Sequence, residues 1–272
     1  MTQRTGDSGF VGSIPELYER YMVPLMFEVY AQDLAQRVAG HAPQRVLEIA
    51  CGTGVVTRQL AKTLPASATL VATDLNPPML EHARRLGTAR PVAWQQADAM
   101  QLPFPDAAFD AVVCQFGVMF LPDRARAYAE VLRVLRPGGH FLFNVWGPVE
   151  ENEFAHAASL ALREMFPNDP PRFMERVPHG YFDPARIAAD LAAGGFTRGP
   201  EFVQLTARGR AETPRLAAIA ICQGTPLRTE IVARRADALE AATDTVETAI
   251  ARRFGPGPVD GQVQALVITV QR

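Results

Sequence analysis

The sequence predicts an α/β protein built on a doubly wound, parallel sheet. Short apolar runs alternate with segments of helical periodicity over residues 45–146, a rhythm typical of parallel strands joined by right-handed crossovers. The first run ends in an acidic residue, and a tight turn containing Gly52 and Gly54 leads from it into a helical segment. A strand, glycine turn and helix in this order bind nucleotide-like ligands at the carboxyl ends of the strands.

Composition limits the protein to one large domain with an appended region, or at most two domains. Of the 272 residues 48% are hydrophobic, and there are 27 basic and 29 acidic residues, a charge balance that does not favour nucleic acid as a partner.

The three cysteines, Cys51, Cys114 and Cys222, are typical of small buried residues in a reducing compartment. No apolar run reaches the length of a membrane span and the polar start lacks a signal-peptide core, so we expect a cytoplasmic protein without membrane contact.

Residues 1–40 are predicted to form a tail and a helical lid. Residues 1–12 favour a loose tail, helical periodicity begins at Ile14, and Pro24 predicts two short helices or a kink. The segment either folds over the carboxyl edge of the sheet as a lid or simply packs on the sheet. Its apolar face is predicted to consist of Phe27, Tyr30, Leu34 and Val38.

Residues 41–272 are predicted to form the main domain, in which strands and helices alternate as far as Gly147. Strands are predicted at 45–49, 69–74, 92–97, 109–116 and 140–146, and helices at 53–64, 77–86 and 123–135. Beyond Gly147 the pattern loosens, with helical insertions at about 147–182 and 212–256. Predicted there are helices at 151–165, 183–193, 214–222 and 227–254, a proline-rich loop at 167–178, and strands at 202–207 and 263–270.

The helix predicted at 227–254 carries an apolar stripe. We assign the stripe to the core or to a subunit contact, which leaves a homodimer open. The residues on this face are Val232, Ala236, Leu239, Val246 and Ile250.

Three acids, Glu48, Asp74 and Asp98, fall at or near the ends of the first three predicted strands. Adjacent carboxyl ends of parallel strands line one crevice, and Asp74 lies about 20 residues after Gly54, the spacing of an acid that binds ribose hydroxyls. A carboxylate suits a diol because it offers only acceptors to two donors. The alternative is that each acid caps the helix that follows it. Three acids in register behind a Gly-x-Gly turn favour the ligand interpretation.

The turn fits a dinucleotide poorly. The dinucleotide pattern requires glycine where Thr57 stands, and Glu48 brings negative charge to the place where a pyrophosphate would bind. A cationic nucleoside without phosphate tolerates that acid better, and S-adenosylmethionine is such a ligand.

Several segments in order resemble the class I S-adenosylmethionine-dependent methyltransferases, in their small-molecule, ubiquinone/menaquinone-type branch. Residues 46–54 (VLEIACGTG) are similar to the family's first motif, acid-x-Gly-x-Gly-x-Gly, with Ala50 in place of the first glycine. Residues 73–80, 96–104 and 109–115 resemble the second, third and fourth motifs, and residues 132–139 the segment before the fifth strand. The resemblance implies a Rossmann-like, seven-stranded sheet of order 3-2-1-4-5-7-6 with an antiparallel last strand.

The resemblance also implies how S-adenosylmethionine is bound, with S-adenosylhomocysteine as the product. Glu48 would neighbour the methionine ammonium, Asp74 would hold the ribose diol, and Asp98 would accept from the adenine amino group. The implied cofactor-binding set is Glu48, Ala50, Gly52, Gly54, Asp74, Leu75, Met79, Asp98, Ala99, Met100 and Gln115.

Catalytic residues are less well defined by the sequence. His179, in Pro-His-Gly-Tyr, is the candidate general base, with a surface-loop histidine as the alternative; further candidates facing the cofactor are Tyr21, Tyr30, Trp146, His156 and Tyr181. Histidines and cysteines show no metal-ligand spacing, so no metal is expected. We expect methyl transfer to oxygen, nitrogen or carbon of a small, partly hydrophobic molecule by in-line displacement. The alternatives are a non-methylating protein that binds the same cofactor and a nicotinamide-dependent oxidoreductase.

Overall fold

The computed structural model describes residue 10 and residues 12–272. The tail predicted for residues 1–12 lies outside the described residues apart from Phe10 and Gly12. The chain divides into two compact units. The sheet unit comprises Val29–Val145, Tyr181–Leu205 and Ala265–Arg272, and the helical unit comprises the described residues up to Glu28, Trp146–Gly180 and Thr206–Gln264.

Seven strands form one sheet: β1 Arg45–Glu48, β2 Thr69–Asp74, β3 Ala93–Gln96, β4 Phe109–Gln115, β5 Leu135–Trp146, β6 Glu201–Ala211 and β7 Val259–Gln271. The order β3-β2-β1-β4-β5-β7-β6 confirms the predicted order. Hydrogen-bonded neighbours among β1 to β5 are parallel. Backbone hydrogen bonds join Gly139 to Arg272 and Gly147 to Gln264, so β7 runs antiparallel to β5.

The helices occupy the segments between the strands and most of the helical unit. They are α1 Ile14–Leu17, α2 Glu28–Gly40, α3 Val55–Thr63, α4 Pro77–Leu86, α5 Arg124–Val134, α6 Glu153–Met165, α7 Phe173–Arg176, α8 Pro184–Ala193, α9 Pro214–Gln223, α10 Leu227–Arg234 and α11 Ala238–Phe254. A π-helix spans Tyr18–Phe27, and 3₁₀ turns span Val118–Phe120 and Val149–Glu151. No helix of the described residues is long and apolar enough to cross a membrane.

β1, the strand that ends in Glu48, is buried, as is typical of strands inside a parallel sheet. In β1 only Arg45 is exposed, and all residues of β4 except Asp110 are buried. Asp110 Oδ2 accepts hydrogen bonds from the N–H groups of Gln44 (2.9 Å) and Arg45 (2.7 Å), which fixes where β1 begins beside β4. The register then places Glu48 opposite Ala72 of β2 and Val113 of β4.

Pro24 does not separate two short helices, because residues 14–40 are helical without interruption. Residues 18–27 form a π-helix, with the N–H of Glu28 donating to the carbonyl of Val23, five residues earlier. The wider turn accommodates a residue that has no N–H of its own to donate. The predicted apolar face is confirmed, because Phe27, Tyr30, Leu34 and Val38 are all buried.

The single helix predicted at 227–254 is wrong. It is two helices, α10 and α11, separated by residues 235–237, and the extended backbone of Arg235 (φ −155°, ψ 118°) ends the first of them. The buried stripe therefore shifts by one position in α10: Ile231 is buried and Val232 is 37% exposed. In α11 the predicted Val246 and Ile250 are buried, and Ala238 and Ala242 extend their stripe in place of Ala236 and Leu239.

Two further element boundaries differ from the prediction. The loop predicted at 167–178 contains the one-turn helix α7, and β5 begins at Leu135 rather than at residue 140. The Pro-Gly-Gly segment lies within β5 at a register irregularity, where Phe109 pairs with Leu135 and Ala111 pairs with His140. A proline and two glycines thus mark a bulge-like extension of the strand.

Candidate functional site

The turn after β1 winds through three residues in the left-handed region. Ala50 has φ 52°, Gly52 has φ 55° and Gly54 has φ 81°. Backbone hydrogen bonds fix this path: Ile49 donates to the carbonyl of Val113, and Cys51 donates to that of Thr73. A Cβ added to Gly52 would meet no atom within 4 Å, so the backbone there borders open space. A ligand can therefore approach the turn closely at Gly52.

Ala50 stands where the resembling motif has glycine. A left-handed φ costs a residue with a Cβ about 1–2 kcal/mol, which glycine avoids. The substitution is tolerated here because the turn is held on both sides by the β2 and β4 backbones. Ala50 is thus a strained residue of the turn as well as a small one.

Glu48 is buried at the end of β1 and bonded to the first turns of α3. Its Oε2 accepts a hydrogen bond from Thr57 Oγ1 at 2.6 Å, and only 1% of the residue is exposed. Burial raises the pKa of Glu48 to about 8, against the opposing effects of the Thr57 hydroxyl and the Arg58 charge. Thr57, which the sequence showed only as a missing glycine, therefore holds the first acid in place.

Asp74 joins the turn after β1 to the turn after β2. Its Oδ2 accepts from the N–H of Gly52 and its Oδ1 from the N–H of Asn76, both at 2.8 Å. Burial raises the pKa of Asp74, and these hydrogen bonds act against that shift. The capping alternative is wrong for Asp74, because Asn76, not Asp74, is the N-cap of α4.

Asp98 lies in a tight turn just beyond β3. Its Oδ1 accepts from the N–H of Met100 at 2.8 Å, and its carbonyl accepts from Gln101 at 2.9 Å. The register of β2 and β3 pairs Asp74 with Gln96, and the N–H of Ala97 donates to the Asp74 carbonyl. The sheet thus brings the second and third acids to neighbouring strand ends.

The other predicted cofactor residues lie on the same carboxyl-end loops of the sheet unit. Leu75, Ala99 and Met100 are half-buried, and Met79 is buried in α4. Gln115 ends β4, which pairs directly with β1. All eleven predicted residues therefore fall at the last positions of β1, β2 and β4, in the turns after β1, β2 and β3, or in the helix that follows β2.

Asn144, which sequence reasoning missed, organises the end of β4. It is fully buried in β5, its Oδ1 accepts from the N–H of Phe116 at 2.9 Å, and its Nδ2 lies 3.5 Å from Gln115 Oε1. Phe116 has a left-handed φ of 49°, so this bond stabilises an unfavourable backbone conformation. The only sequence signal was a polar residue inside an apolar strand.

Two polar atoms beside the acids lack hydrogen-bond partners. Within the described part of the chain, neither Thr53 Oγ1 nor Asn76 Oδ1 has a partner, although both are buried. A buried polar group without a partner is costly, so these two atoms are candidates for hydrogen bonds with a ligand. Neither residue was predicted; their only signal was a polar side chain beside Gly52 and Asp74.

His179 is buried in the helical unit, so the surface-loop alternative is wrong. Its Nδ1 donates to the carbonyl of Gly147 at 2.8 Å, and its ring lies against Trp146 with the centroids 6.2 Å apart. Burial lowers the pKa of His179 to about 4, so the ring is neutral at neutral pH. The bond at Nδ1 leaves Nε2 as the unprotonated nitrogen.

Two of the remaining catalytic candidates, Tyr181 and Tyr30, form hydrogen bonds through their hydroxyl groups. Tyr181 is buried and its hydroxyl donates to Asp190 Oδ2 at 2.8 Å, with Tyr128 Oη 3.3 Å away. Tyr30 Oη donates to the carbonyl of Leu205 at 3.4 Å. Tyr21 and His156 are half-buried. No group of His, Cys, Asp and Glu among residues 10 and 12–272 has the arrangement of a metal site.

Comparison with known proteins identifies the class. Residues 47–143 match the family model described as a methyltransferase domain. The chain is 34% identical over 167 residues to a demethylmenaquinone methyltransferase of Thermus thermophilus, over 57% of this chain and 76% of that protein. The chain is also 35% identical over 135 residues to the demethylmenaquinone methyltransferase of Deinococcus radiodurans, covering 49% of this chain and 56% of that one.

A solved structure shows the same fold. The YcgJ protein of Bacillus subtilis superposes with a TM-score of 0.55 at 20% identity, over 90% of this chain and 98% of that one.

A seven-stranded sheet with a Gly-x-Gly turn and acids at successive strand ends defines the class I S-adenosylmethionine-dependent methyltransferases. The chain belongs to that family. The predicted enzyme class and the predicted cofactor, S-adenosylmethionine, are thereby confirmed.

Proposed function

We propose that this enzyme transfers the methyl group of S-adenosylmethionine to oxygen, nitrogen or carbon of a small, partly hydrophobic molecule. The observation that carries the proposal is the pair of buried acids, Glu48 and Asp74, beside the open backbone at Gly52. A cation and a diol are the groups that buried carboxylates bind best, and the cofactor has both.

In the proposed complex, each acid at a strand end contacts a different part of the cofactor. Glu48 lies near the ammonium, and Asp74, held by Gly52 and Asn76, accepts from the ribose hydroxyls. Asp98 accepts from the adenine amino group. Leu75 and Met79 supply apolar contact, and Gln115 lies near the methionine portion of the ligand. The backbone passes along the ligand at Ala50, Gly52, Gly54, Ala99 and Met100.

The cofactor supplies an activated methyl group for an in-line displacement. The chain's task is to bind and align the two reactants and to keep water out. His179 is the proposed general base. Its bond to Gly147 fixes Nε2 as the nitrogen that can accept a proton, and its low pKa keeps it neutral. With a pKa of about 4 it is a weak base, so it suits the removal of a proton that becomes acidic as the new bond to methyl forms, rather than prior deprotonation of the acceptor.

The relatives' names support a hydroquinone ring as the first acceptor to test. Both proteins named above are called demethylmenaquinone methyltransferases. The ring carbon of a hydroquinone is nucleophilic when its hydroxyl is deprotonated, and the molecule is small and partly hydrophobic. Cytoplasmic location, the absence of nucleic-acid and membrane partners, the N-terminal lid and a homodimer stay predictions.

The test is a methyl-transfer assay with methyl-labelled S-adenosylmethionine. Acceptors are a short-chain demethylated hydroquinone, a phenol, an amine, bulk tRNA and a denatured protein mixture, each with wild-type enzyme and with Asp74→Ala. We expect label in a small molecule and loss of transfer in the variant. Preferential labelling of tRNA or protein contradicts the substrate class. Cofactor binding without any transfer, against these acceptors and against a cell extract, favours the non-methylating alternative.

A further inference from the structure

Asn76 occupies a helix N-cap without capping the helix. It precedes α4, where an asparagine side chain ordinarily accepts a hydrogen bond from one of the first backbone N–H groups. Here its side chain makes no such bond, and its Nδ2 donates instead to Asp74 Oδ1 at 3.3 Å. The carboxamide is therefore turned toward the acid rather than toward the helix.

This orientation leaves Asn76 Oδ1 as a buried acceptor with no donor. The residue is 7% exposed, and nothing in the part of the chain that the structure describes donates to that oxygen. Leaving an acceptor buried and unpaired is costly. Capping α4 could not satisfy it, because Pro77 and Pro78 have no N–H and the N–H of Met79 already donates to the Asn76 carbonyl at 3.1 Å. A ligand that donates to Oδ1 accounts for the missing partner.

The neighbouring carboxylate limits what the ligand group can be. Asp74 Oδ1 already accepts two hydrogen bonds, from the N–H and the Nδ2 of Asn76, whereas Oδ2 accepts only the N–H of Gly52 and can accept once more. A donor that reaches Asp74 from the ligand is therefore close to Asn76 Oδ1 as well, because the two side chains are in contact. A ribose diol presents two adjacent hydroxyl donors to such a pair.

We propose that Asn76 is a second ribose-binding residue, whose Oδ1 accepts a hydrogen bond from one hydroxyl while Asp74 accepts from the diol. The inference rests on the proposed placement of the ribose at Asp74. The proposal requires the side chains that cover Oδ1 to move when the ligand enters, because this oxygen is closed off from solvent in the structure. Asn76 then contributes to discrimination between ribose and deoxyribose ligands.

The test is a thermodynamic cycle between the residue and the ribose hydroxyls. Calorimetry measures the affinity of wild type and of the near-isosteric Asn76→Leu for S-adenosylhomocysteine and for its 2′-deoxy and 3′-deoxy analogues. In wild type we expect each missing hydroxyl to weaken binding by roughly three- to tenfold. In Asn76→Leu one of the two losses should shrink to less than about twofold. Asn76→Ala provides the same cycle if the leucine variant does not fold.

Thermal unfolding without ligand is the second readout. Asn76→Leu removes an unpaired acceptor together with the single 3.3 Å hydrogen bond to Asp74, so its Tm should fall much less than that of a variant that loses two well-formed hydrogen bonds. Asn152 is the matched control, a buried asparagine whose Nδ2 donates to the carbonyl of Pro148 at 3.0 Å and whose Oδ1 accepts from the Gln264 N–H at 3.0 Å. Asn152→Leu should lower the Tm markedly and leave the affinity for S-adenosylhomocysteine unchanged.

The outcomes separate this inference from the proposed function. If both deoxy analogues weaken the variant as much as the wild type, Asn76 does not bind the ribose, and the inference is wrong while the proposed function stands. If wild-type protein fails to bind S-adenosylhomocysteine at all, both are overturned. A Tm of Asn76→Leu that falls as far as that of Asn152→Leu would mean that the carboxamide is structural, and would also overturn the inference.

Discussion

The methyl group of Ala50 occupies the space that a side chain at Gly117 would need, where two adjacent strands end. A Cβ added to Gly117 would lie 2.7 Å from the Cβ of Ala50 and 2.7 Å from Cys114 Sγ. The turn after β1 has an alanine where the family motif has a glycine, and the turn after β4 has a glycine facing that alanine. The pair sets how closely the two turns approach beside the proposed cofactor site.

Gly117→Ala should therefore destabilise the protein. Its φ of −102° suits alanine, so the cost is overpacking alone, about 1–3 kcal/mol. Chemical denaturation of the variant measures the loss, and Gly199→Ala is the control because a Cβ there meets nothing within 4 Å. Equal stabilities for the two variants would mean that the turns after β1 and β4 are not packed as described.

Ala50→Gly should stabilise the protein by about 0.5–1 kcal/mol. Glycine removes the cost of the left-handed φ of 52°, and its greater freedom in the unfolded chain offsets part of that gain. The control is Ala189→Gly on the exposed face in the middle of α8, which should destabilise by about 0.5–1 kcal/mol. The two changes are chemically identical and should have opposite signs in denaturant unfolding. A destabilising Ala50→Gly would show that the methyl contact matters more than the backbone strain.

Cofactor affinity should rise with pH below about pH 8. Burial raises the pKa of Glu48 to about 8, and a cationic ligand favours its ionised form, so binding at lower pH must release the proton. Between about pH 6 and pH 7.5 the affinity for S-adenosylmethionine should increase by up to roughly tenfold per pH unit. Calorimetric titrations in buffers of different ionisation enthalpy measure the released proton directly.

Glu48→Gln should bind the cofactor more weakly and remove most of this pH dependence. Asp74 and Arg58 also act on Glu48 and remain in the variant, so the difference between the two profiles isolates Glu48. An unchanged slope in Glu48→Gln would show that another group takes up the proton.

His179 should make the protein acid-sensitive. Its folded pKa of about 4 lies below the usual 6.5, so between these values the unfolded chain binds a proton that the folded chain does not. The contribution of His179 to stability is therefore complete above pH 6.5 and is lost as the pH drops toward 4, by about 3 kcal/mol in total. The raised pKa of Glu48 acts in the opposite direction over this range, so the quantity to measure is the free energy of unfolding of wild type minus that of His179→Gln, which should rise with pH. Parallel slopes would place the titrating group elsewhere.

The sequence predicted those features of the site that depend on short, local sequence patterns. Unbroken apolar runs predicted the buried parallel strands, and the acids that end them predicted which side chains would meet at the carboxyl edge. Glycines marked the turn because few other residues adopt a left-handed φ. These signals are local, so they were readable without knowing which strands pair.

What the sequence did not predict depends on contacts between distant segments. The Asn144 bonds to Gln115 and Phe116 require the register of β4 and β5, and the unpaired Asn76 Oδ1 requires knowing where the carboxamide turns. His179 lies in a proline-rich segment with the composition of a surface loop, yet it packs against Trp146. Alanine-rich periodicity continued across Arg235, where the backbone is extended.

The central claim is that the acids at the strand ends bind S-adenosylmethionine, and calorimetric titration tests it most directly. Wild-type protein should bind S-adenosylhomocysteine with one site per chain and should bind NAD far more weakly. Asp74→Ala should lower the S-adenosylhomocysteine affinity by at least about tenfold. The control Asp106→Ala, which removes an exposed acid, should not. Tight NAD binding, or an unchanged affinity in Asp74→Ala, would contradict the account.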